Sequence, residues 1–205
     1  MSSFQGILFG IWSAVFLWSG IEPFDRFTWF LEVLPAILAL AAVAVTHRRF
    51  PLTRLVTVLI CLHCIVLMVG GKYTYAEMPL FNWLRDNFHL ARNYYDRVGH
   101  FMQGFVPALV IREVFLRLRV VRRGGWLHFL VVCVALAFSA FYEFIEWWVA
   151  LLTGESATAF LGTQGDPWDT QWDMFLCTVG SVVSLALLHR RHDRELRLDP
   201  AKAEP

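Results

Sequence analysis

The chain has 205 residues, 57% of them apolar and only 17% charged, with nine Trp and eighteen Phe. That composition lies far above the apolar share of a soluble domain, and its apolar runs are long enough to cross a bilayer. A formal net charge of +1 supplies no basic field for nucleic acid.

Six apolar segments follow in chain order, at about 4–21, 29–46, 55–71, 98–116, 126–152 and 172–189. Each has roughly the length that ~30 Å of hydrocarbon requires at ~1.5 Å per residue. The expected fold is therefore an all-α membrane protein: a six-helix transmembrane bundle in one domain over residues 1–190, with a polar cytoplasmic tail at 191–205. The first segment opens MSSFQ, with no basic n-region and no small-residue cleavage site before Glu22, and reads as a retained span.

Charge sidedness sets the expected orientation. With both termini in the cytoplasm, thirteen of the eighteen Lys and Arg fall on the inner side, from Arg48 to Arg54, Arg112 to Arg123 and Arg190 to Lys202. Arg26, Lys72, Arg85, Arg92 and Arg97 remain outside, and most acidic residues share that side. The expected location is the bacterial inner membrane, multi-pass.

The third segment carries Cys61-Leu-His63-Cys64, too few ligands for a zinc site. With Cys133 and Cys177 these cysteines read as small fillers of helix contacts. Between the third and fourth segments, Leu80, Phe81, Leu84, Phe88, Ala91 and Tyr95 recur at helical spacing, opposite Asn82, Arg85, Asp86, His89 and Asn93. That pattern predicts an amphipathic helix lying in the outer interface.

The fourth segment opens YDRVGHFMQGF, with Asp96, His100 and Gln103 at i, i+4 and i+7 on one face. The fifth places Glu143 and Glu146 one turn apart in its outer third, within SAFYEFIEWWVALL. The sixth is predicted to start with Asp166 as N-cap and Pro167 in the first turn. Its Asp169 and Asp173 share a face with Cys177, Gly180 and Ser184, a run of small residues suited to close helix contact.

Three helices thus bring His100, Gln103, Glu143, Glu146 and Asp173 to one depth in the outer leaflet. A central Asp in a membrane helix costs about 2.5–3.5 kcal/mol on insertion scales. Such groups persist when paired, protonated, hydrated or bound to a cation. Asp166 reads as a cap, Asp169 as favourably placed at a helix N-terminus, and Asp96 as a partner of Arg92, Arg97 or His100.

Imidazole with carboxylates and no thiolate suits one divalent ion: zinc, manganese, iron or magnesium. The metal ligands expected from sequence are His100, Glu143, Glu146, Asp173 and Asp169. The catalytic set is Glu143 as general base or ligand, His100 as acid or ligand, Gln103 as an orienting group, and Asp96. Glu-x-x-Glu with a single nearby histidine departs from the Glu-x-x-His pattern of dimetal bundles. No haem is expected, because His63, His100 and His128 fall at three different depths. No nucleotide is expected, because no phosphate loop is present.

The stretches GKYTYAEMPLFNWLRDNFHLARNYYDRVGHFMQGF, YEFIEWW and GTQGDPWDTQWDM resemble the YjdF-like family of bacterial inner-membrane proteins, a domain of unknown function. The resemblance covers about residues 70–190 and implies a six-span inner-membrane protein without naming a reaction. The leading functional expectation is a small membrane enzyme with an acidic, metal-binding pocket open to the outer side. Its substrate would be a lipid headgroup or a small molecule, and metal-assisted hydrolysis is the reaction those groups suit. A proton- or cation-coupled transporter is the first alternative, and a non-catalytic scaffold or partner-binding protein the second. Membrane lipid is the expected partner, nucleic acid is not, and the oligomeric state is not legible in the sequence.

Overall fold

A computed structural model describes residues 3–154, 158–161 and 163–197. Its described residues form helices α1 (Ser3–Gly20), α2 (Arg26–Thr46), α3 (Arg54–Lys72), α4 (Pro79–Phe88), α5 (Tyr95–Arg117), α6 (Gly125–Thr153), α7 (Thr158–Leu161) and α8 (Asp169–Glu195). No strand occurs among them. Five helices, α1, α2, α3, α6 and α8, are long and apolar enough to cross a membrane.

The missing apolar character of α5 has a packing cause. This helix is flanked by α3, α6 and α8, so protein rather than lipid surrounds it, and polar residues along it cost little if they find partners. Its contact with α8 is the closest in the bundle. A Cβ on Gly104 would overlap the backbone of Cys177, and one on Gly180 would overlap the backbone of Phe101. The Ser181 hydroxyl lies 3.3 Å from the Gly104 carbonyl. The small-residue face expected on the sixth segment therefore meets α5.

The six long helices alternate in direction. Trp18 and Ile21 at the end of α1 offer carbonyls to Lys72 at the end of α3, a charged cap on the α1 C-terminus. The α2 N-terminus sits beside them, where Phe24 N bonds the Lys72 carbonyl. Asp25 caps α2 by accepting from Thr28 N. The apolar core runs through the middle, with Val106, Leu109, Leu127, Val131, Ala135 and Cys177 packed together. A second cluster of Val33, Ala36, Cys64 and Met68 joins α2 to α3.

Several boundaries differ from expectation. The amphipathic helix stops at Phe88, where His89 adopts a left-handed conformation (φ 52°) and ends it. Ala91 lies in the following loop, and Tyr95 begins α5. The last long helix begins at Asp169, not near Pro167, because Asp166 Oδ1 accepts from Trp168 N and holds a turn ahead of the helix.

The expected polar tail from residue 191 is helical over its first residues. The α8 helix continues to Glu195, whose Oε2 accepts from Leu55 N at 2.8 Å. Residues 198–205 of the expected tail lie outside the described ones.

The largest departure lies at the end of the bundle where α5 and α8 finish. Arg112, Glu113 and His192 are almost fully buried there, although the sequence places Arg112 in a cytoplasmic segment and predicts few polar groups in the inner halves of these helices. His192 bridges Arg112 Nη1 through Nδ1 and Glu113 Oε2 through Nε2, both at 3.0 Å. Glu113 also accepts from Thr53 N at 3.0 Å and Thr53 Oγ1 at 2.8 Å. Asp193 accepts from Arg112 and, at 2.7 Å, from Arg123. An arginine beside Nδ1 is a donor, so His192 carries its proton on Nε2 and gives it to Glu113.

Cys61, Cys64 and Cys177 are buried and Cys133 is exposed; all four are free. Cys177 Sγ contacts the Ala135 carbonyl at 3.5 Å, which fits a small filler at a helix contact. Among the described residues, no potential metal-holding group includes a cysteine.

Candidate functional site

The opposite end of the bundle gathers the residues singled out by depth. His100 on α5 turns Nδ1 towards Gln103 Oε1 at 3.0 Å. Ser139 Oγ of α6 also points at that oxygen, at 3.5 Å. His100 Nε2 faces Asp96 Oδ1 at 3.4 Å and Asp173 Oδ1 at 3.7 Å. Both distances exceed the ~2.7–2.9 Å of a tight charge-assisted bond. With two donors aimed at it, Gln103 Oε1 selects the His100 tautomer protonated on Nδ1. That proton turns Nε2 towards the carboxylates, which it meets as an ion pair when protonated and beside which it would ligate a metal when it is not.

Two ligand groups can be formed around this imidazole. Asp96, His100 and Asp173 have donor atoms within 4.8 Å of one another, and so do His100, Glu143 and Glu146. They differ in what already neutralises them. Arg97 bonds Asp173 directly and approaches Asp169 Oδ1 at 2.7 Å and Asp166 Oδ2 at 3.0 Å. Arg92 bonds Asp169 and lies 3.5 Å from Asp96 Oδ2. The aspartates on α8 thus have cations from the chain itself.

Glu143 and Glu146 do not share that arrangement. They are 8% and 9% exposed, and Glu143 Oε1 is buried with no hydrogen-bond partner among the described residues. An unpartnered buried carboxylate oxygen is expensive. Of the metal ligands expected from sequence, the structure brings His100, Glu143, Glu146 and Asp173 together, with Asp173 also bonded to Arg97, and gives Asp169 to Arg92 and Arg97.

A cavity of about 80 Å³ opens beside these groups, lined by Glu32, His63, Tyr75, Asp96, His100 and Glu146 among others. At ~30 Å³ per water it holds two or three waters or the small end of a ligand. Three of its walls escape a reading of the sequence by depth. Glu32, 8% exposed on α2, is a carboxylate inside a predicted span, and the argument applied to Glu143 would have found it. His63 shares the cavity with His100, a meeting that span boundaries, which fix depth only to a turn or so, do not show. Tyr75 has no sequence signal.

Tyr75 shows how the loop before α4 closes the chamber. It sits at φ 52° next to Thr74 at φ 50°, with its ring against Gly70 and Gly99, where any Cβ would strike it. Burial first, and then neighbouring Glu32, hold its phenol pKa well above the ordinary value, so the hydroxyl stays neutral.

The roof is a second polar clasp. Gln164 donates to the Asn93 carbonyl at 2.9 Å and accepts from Asn93 N at 3.0 Å. Asn93 Nδ2 in turn reaches Asn82 Oδ1 at 2.8 Å and the Met78 carbonyl at 3.0 Å. Every stretch that carried the family resemblance therefore contributes to one chamber: Tyr75, Asn93, Arg97 and His100 from the first, Glu143 and Glu146 from the second, Gln164, Asp169 and Asp173 from the third.

Residues 4–194 match the family described as predicted membrane protein (DUF2238). The chain is also 50% identical over 183 residues, 89% of its own length and 88% of the relative's, to the inner membrane protein YjdF of Escherichia coli (strain K12). No solved structure matches it. With five apolar helices of spanning length and this degree of likeness, the chain is a multi-pass inner-membrane protein and belongs to the DUF2238 family.

Proposed function

We propose that the protein is a small membrane enzyme whose chamber holds one divalent cation through His100, Glu143 and Glu146. The single observation that carries this reading is that Glu143, a carboxylate within ligand range of His100 and Glu146, buries its Oε1 with no hydrogen-bond partner among the described residues. A cation there would satisfy that oxygen and accept the Nε2 lone pair of His100. Gln103 fixes the imidazole tautomer, and Asp96 and Asp173, held by arginines, frame the far side.

Zinc, manganese, iron or magnesium would each accept such a donor set. The bound ion would activate water, and Glu143 or Glu146 would take its proton during hydrolysis of a lipid headgroup or a small ester. A proton- or cation-coupled carrier fares worse. Between the chamber and the Arg112–His192–Glu113 network lies the apolar core of Val106, Leu109, Val131 and Cys177, with the buried hydroxyls of Ser181 and Ser184 on α8 but, among the described residues, no buried charged group between them.

The same reading includes a six-span topology with both termini in the cytoplasm. The α5 helix, about 34 Å long at 1.5 Å per residue, crosses as the sixth span inside a ring of neighbours. The chamber then faces the periplasm, and the Lys and Arg excess lies inside. The α4 helix exposes Leu80, Trp83 and Phe88 and rests in the outer interface.

Metal analysis of purified protein tests the site. Wild type and Asp173→Asn are expected to carry one ion per chain, while Glu143→Gln and His100→Ala lose it. Wild type that stays well below one ion per chain, even after incubation with each of the four metals, removes the metal from the proposal.

A further inference from the structure

The chamber adjoins a much larger apolar groove. This second space, about 910 Å³, runs between α2 on one side and α5 and α6 on the other. It lies near the upper end of the ~300–1,000 Å³ range of ligand sites. Its α2 wall extends from Leu31 to Thr46, about 22 Å at 1.5 Å per residue, longer than one leaflet of a ~30 Å hydrocarbon core. The lining is almost wholly apolar, and Leu38, Phe138 and Phe141 leave half or more of their surface exposed. The α2 helix packs on α3, and its other flank borders the groove.

Three features say what occupies it. Pro35, His63, Leu67, Gln103 and Tyr142 line both the groove and the small polar cavity, so the two spaces meet at these side chains. At that junction the buried Nε2 of His63 has no hydrogen-bond partner among the described residues. Pro35 and Pro107, both inside helices and both in the wall, lack the N–H that would bond the carbonyls of Leu31 and Gln103. The junction therefore presents polar atoms in want of a partner, at the mouth of a cavity too small for a bulky head.

Charge selects further. The cavity gathers Glu32, Asp96 and Glu146, with Glu143 close by, while Arg97 is committed to the α8 aspartates. No Lys or Arg is among the described residues lining the cavity, so an anionic head finds no side-chain ammonium or guanidinium at the mouth between His63, Gln103 and Tyr142. We infer that the groove binds the single apolar chain of a neutral, hydroxyl-bearing lipid, whose head enters the chamber between His63, Gln103 and Tyr142. This deepens the enzyme reading, resting on it for the fate of the head but not for where the chain lies.

A monoacylglycerol with a diazirine on its acyl chain, in phosphatidylethanolamine/phosphatidylglycerol vesicles with the full-length protein, tests this by photolabelling and peptide mapping. Adducts are expected at Leu38, Val110 and Phe138 at least tenfold above those at Phe175 and Leu187, which face outward on α8. Unlabelled monoacylglycerol should compete and added phosphatidylglycerol should not. Val110→Trp, or the milder Ala42→Leu should the first fail to fold, should cut groove labelling several-fold, while Glu143→Gln should leave it intact. Even labelling of groove and control positions, indifferent to the filling variants, would mean ordinary annular lipid and overturn the inference. Equal competition by phosphatidylglycerol would overturn the choice of head. Wild type that labels the groove as expected but carries no metal would sink the metal site alone.

Discussion

Arg97 of α5 bonds Asp173 of α8 directly while its other terminal nitrogen reaches Asp169 and Asp166, so one guanidinium clamps the first turns of α8 to α5. The side chains are 11% and 4% exposed. In such a setting, removing one partner leaves a buried charge uncompensated, at about 3–5 kcal/mol. Arg97→Met should therefore lower stability by that order in detergent, read as a fall in the thermal unfolding midpoint. Asp173→Asn should be milder, because Arg97 keeps Asp169 and Asp166. The double variant should recover part of the Arg97→Met loss, and strict additivity would show that the pair is not coupled.

The contact beneath this clamp makes a second prediction. Gly104 and Gly180 let the α5 and α8 backbones touch, and side-chain atoms at either would meet backbone, which cannot rotate away. Gly104→Val should destabilise by at least the ~1–3 kcal/mol of overpacking, because helices rather than side chains must move. The expected readout is loss of folded, protease-resistant protein. Gly10, where an added Cβ would meet no other atom, is the control: Gly10→Ala should be neutral or slightly stabilising.

These two relationships show what could and could not be read from the sequence. Hydrophobic runs locate the helices because lipid imposes a length, and they do so to within a few residues. The i, i+4, i+7 spacing locates Asp96, His100 and Gln103 on one face because helix geometry is fixed. Depth arithmetic brings Glu143, Glu146 and Asp173 beside them. Pairing across helices has no such local signature. Nothing in the order of residues says that Arg97 takes Asp173 while Glu143 is left over, or that Gln164 clasps Asn93. The Arg112–Glu113–His192 network escapes for a different reason. A charged residue near the end of an apolar run reads as loop or interface, and only the packing around α5 shows that it is buried.

A pH dependence follows at the start of α2. The Asp25 carboxylate accepts from Thr28 N, and this bond holds its pKa below the ordinary aspartate value. A group depressed on folding contributes stability that is present above its unfolded pKa and is lost as pH falls through the folded one. Wild type should therefore lose stability below about pH 4 more steeply than Asp25→Asn, which keeps a cap that does not titrate. Asp25→Ala should lose about 0.5–2 kcal/mol at neutral pH, as cap removals do. Unfolding midpoints measured from pH 3 to 7 on the three proteins check both statements, and parallel curves for wild type and Asp25→Asn would contradict the first.

The last prediction concerns the network at the opposite end of α5. Glu113 receives Thr53 N, Thr53 Oγ1, His192 Nε2 and Arg117 Nη1, the last at 3.1 Å. Glutamine offers one acceptor oxygen where the carboxylate has two, and turns an NH₂ towards donors. Glu113→Gln should cost about 3–5 kcal/mol and loosen the α3 N-terminus and the α8 C-terminus together, because both are tied through this carboxylate. Accelerated trypsin cleavage beyond Arg190 would report that loosening. The chamber should be untouched: Arg97 and Glu113 are sixteen residues apart on one helix, about 24 Å at 1.5 Å per residue, with the apolar core between them. Sites that far apart add within about 0.5 kcal/mol. Combining Glu113→Gln with Arg97→Met should therefore give the sum of the two losses, and metal content should follow the second substitution only. A large non-additive term would mean that α5 transmits strain from one polar cluster to the other, and the two ends could no longer be treated as independent.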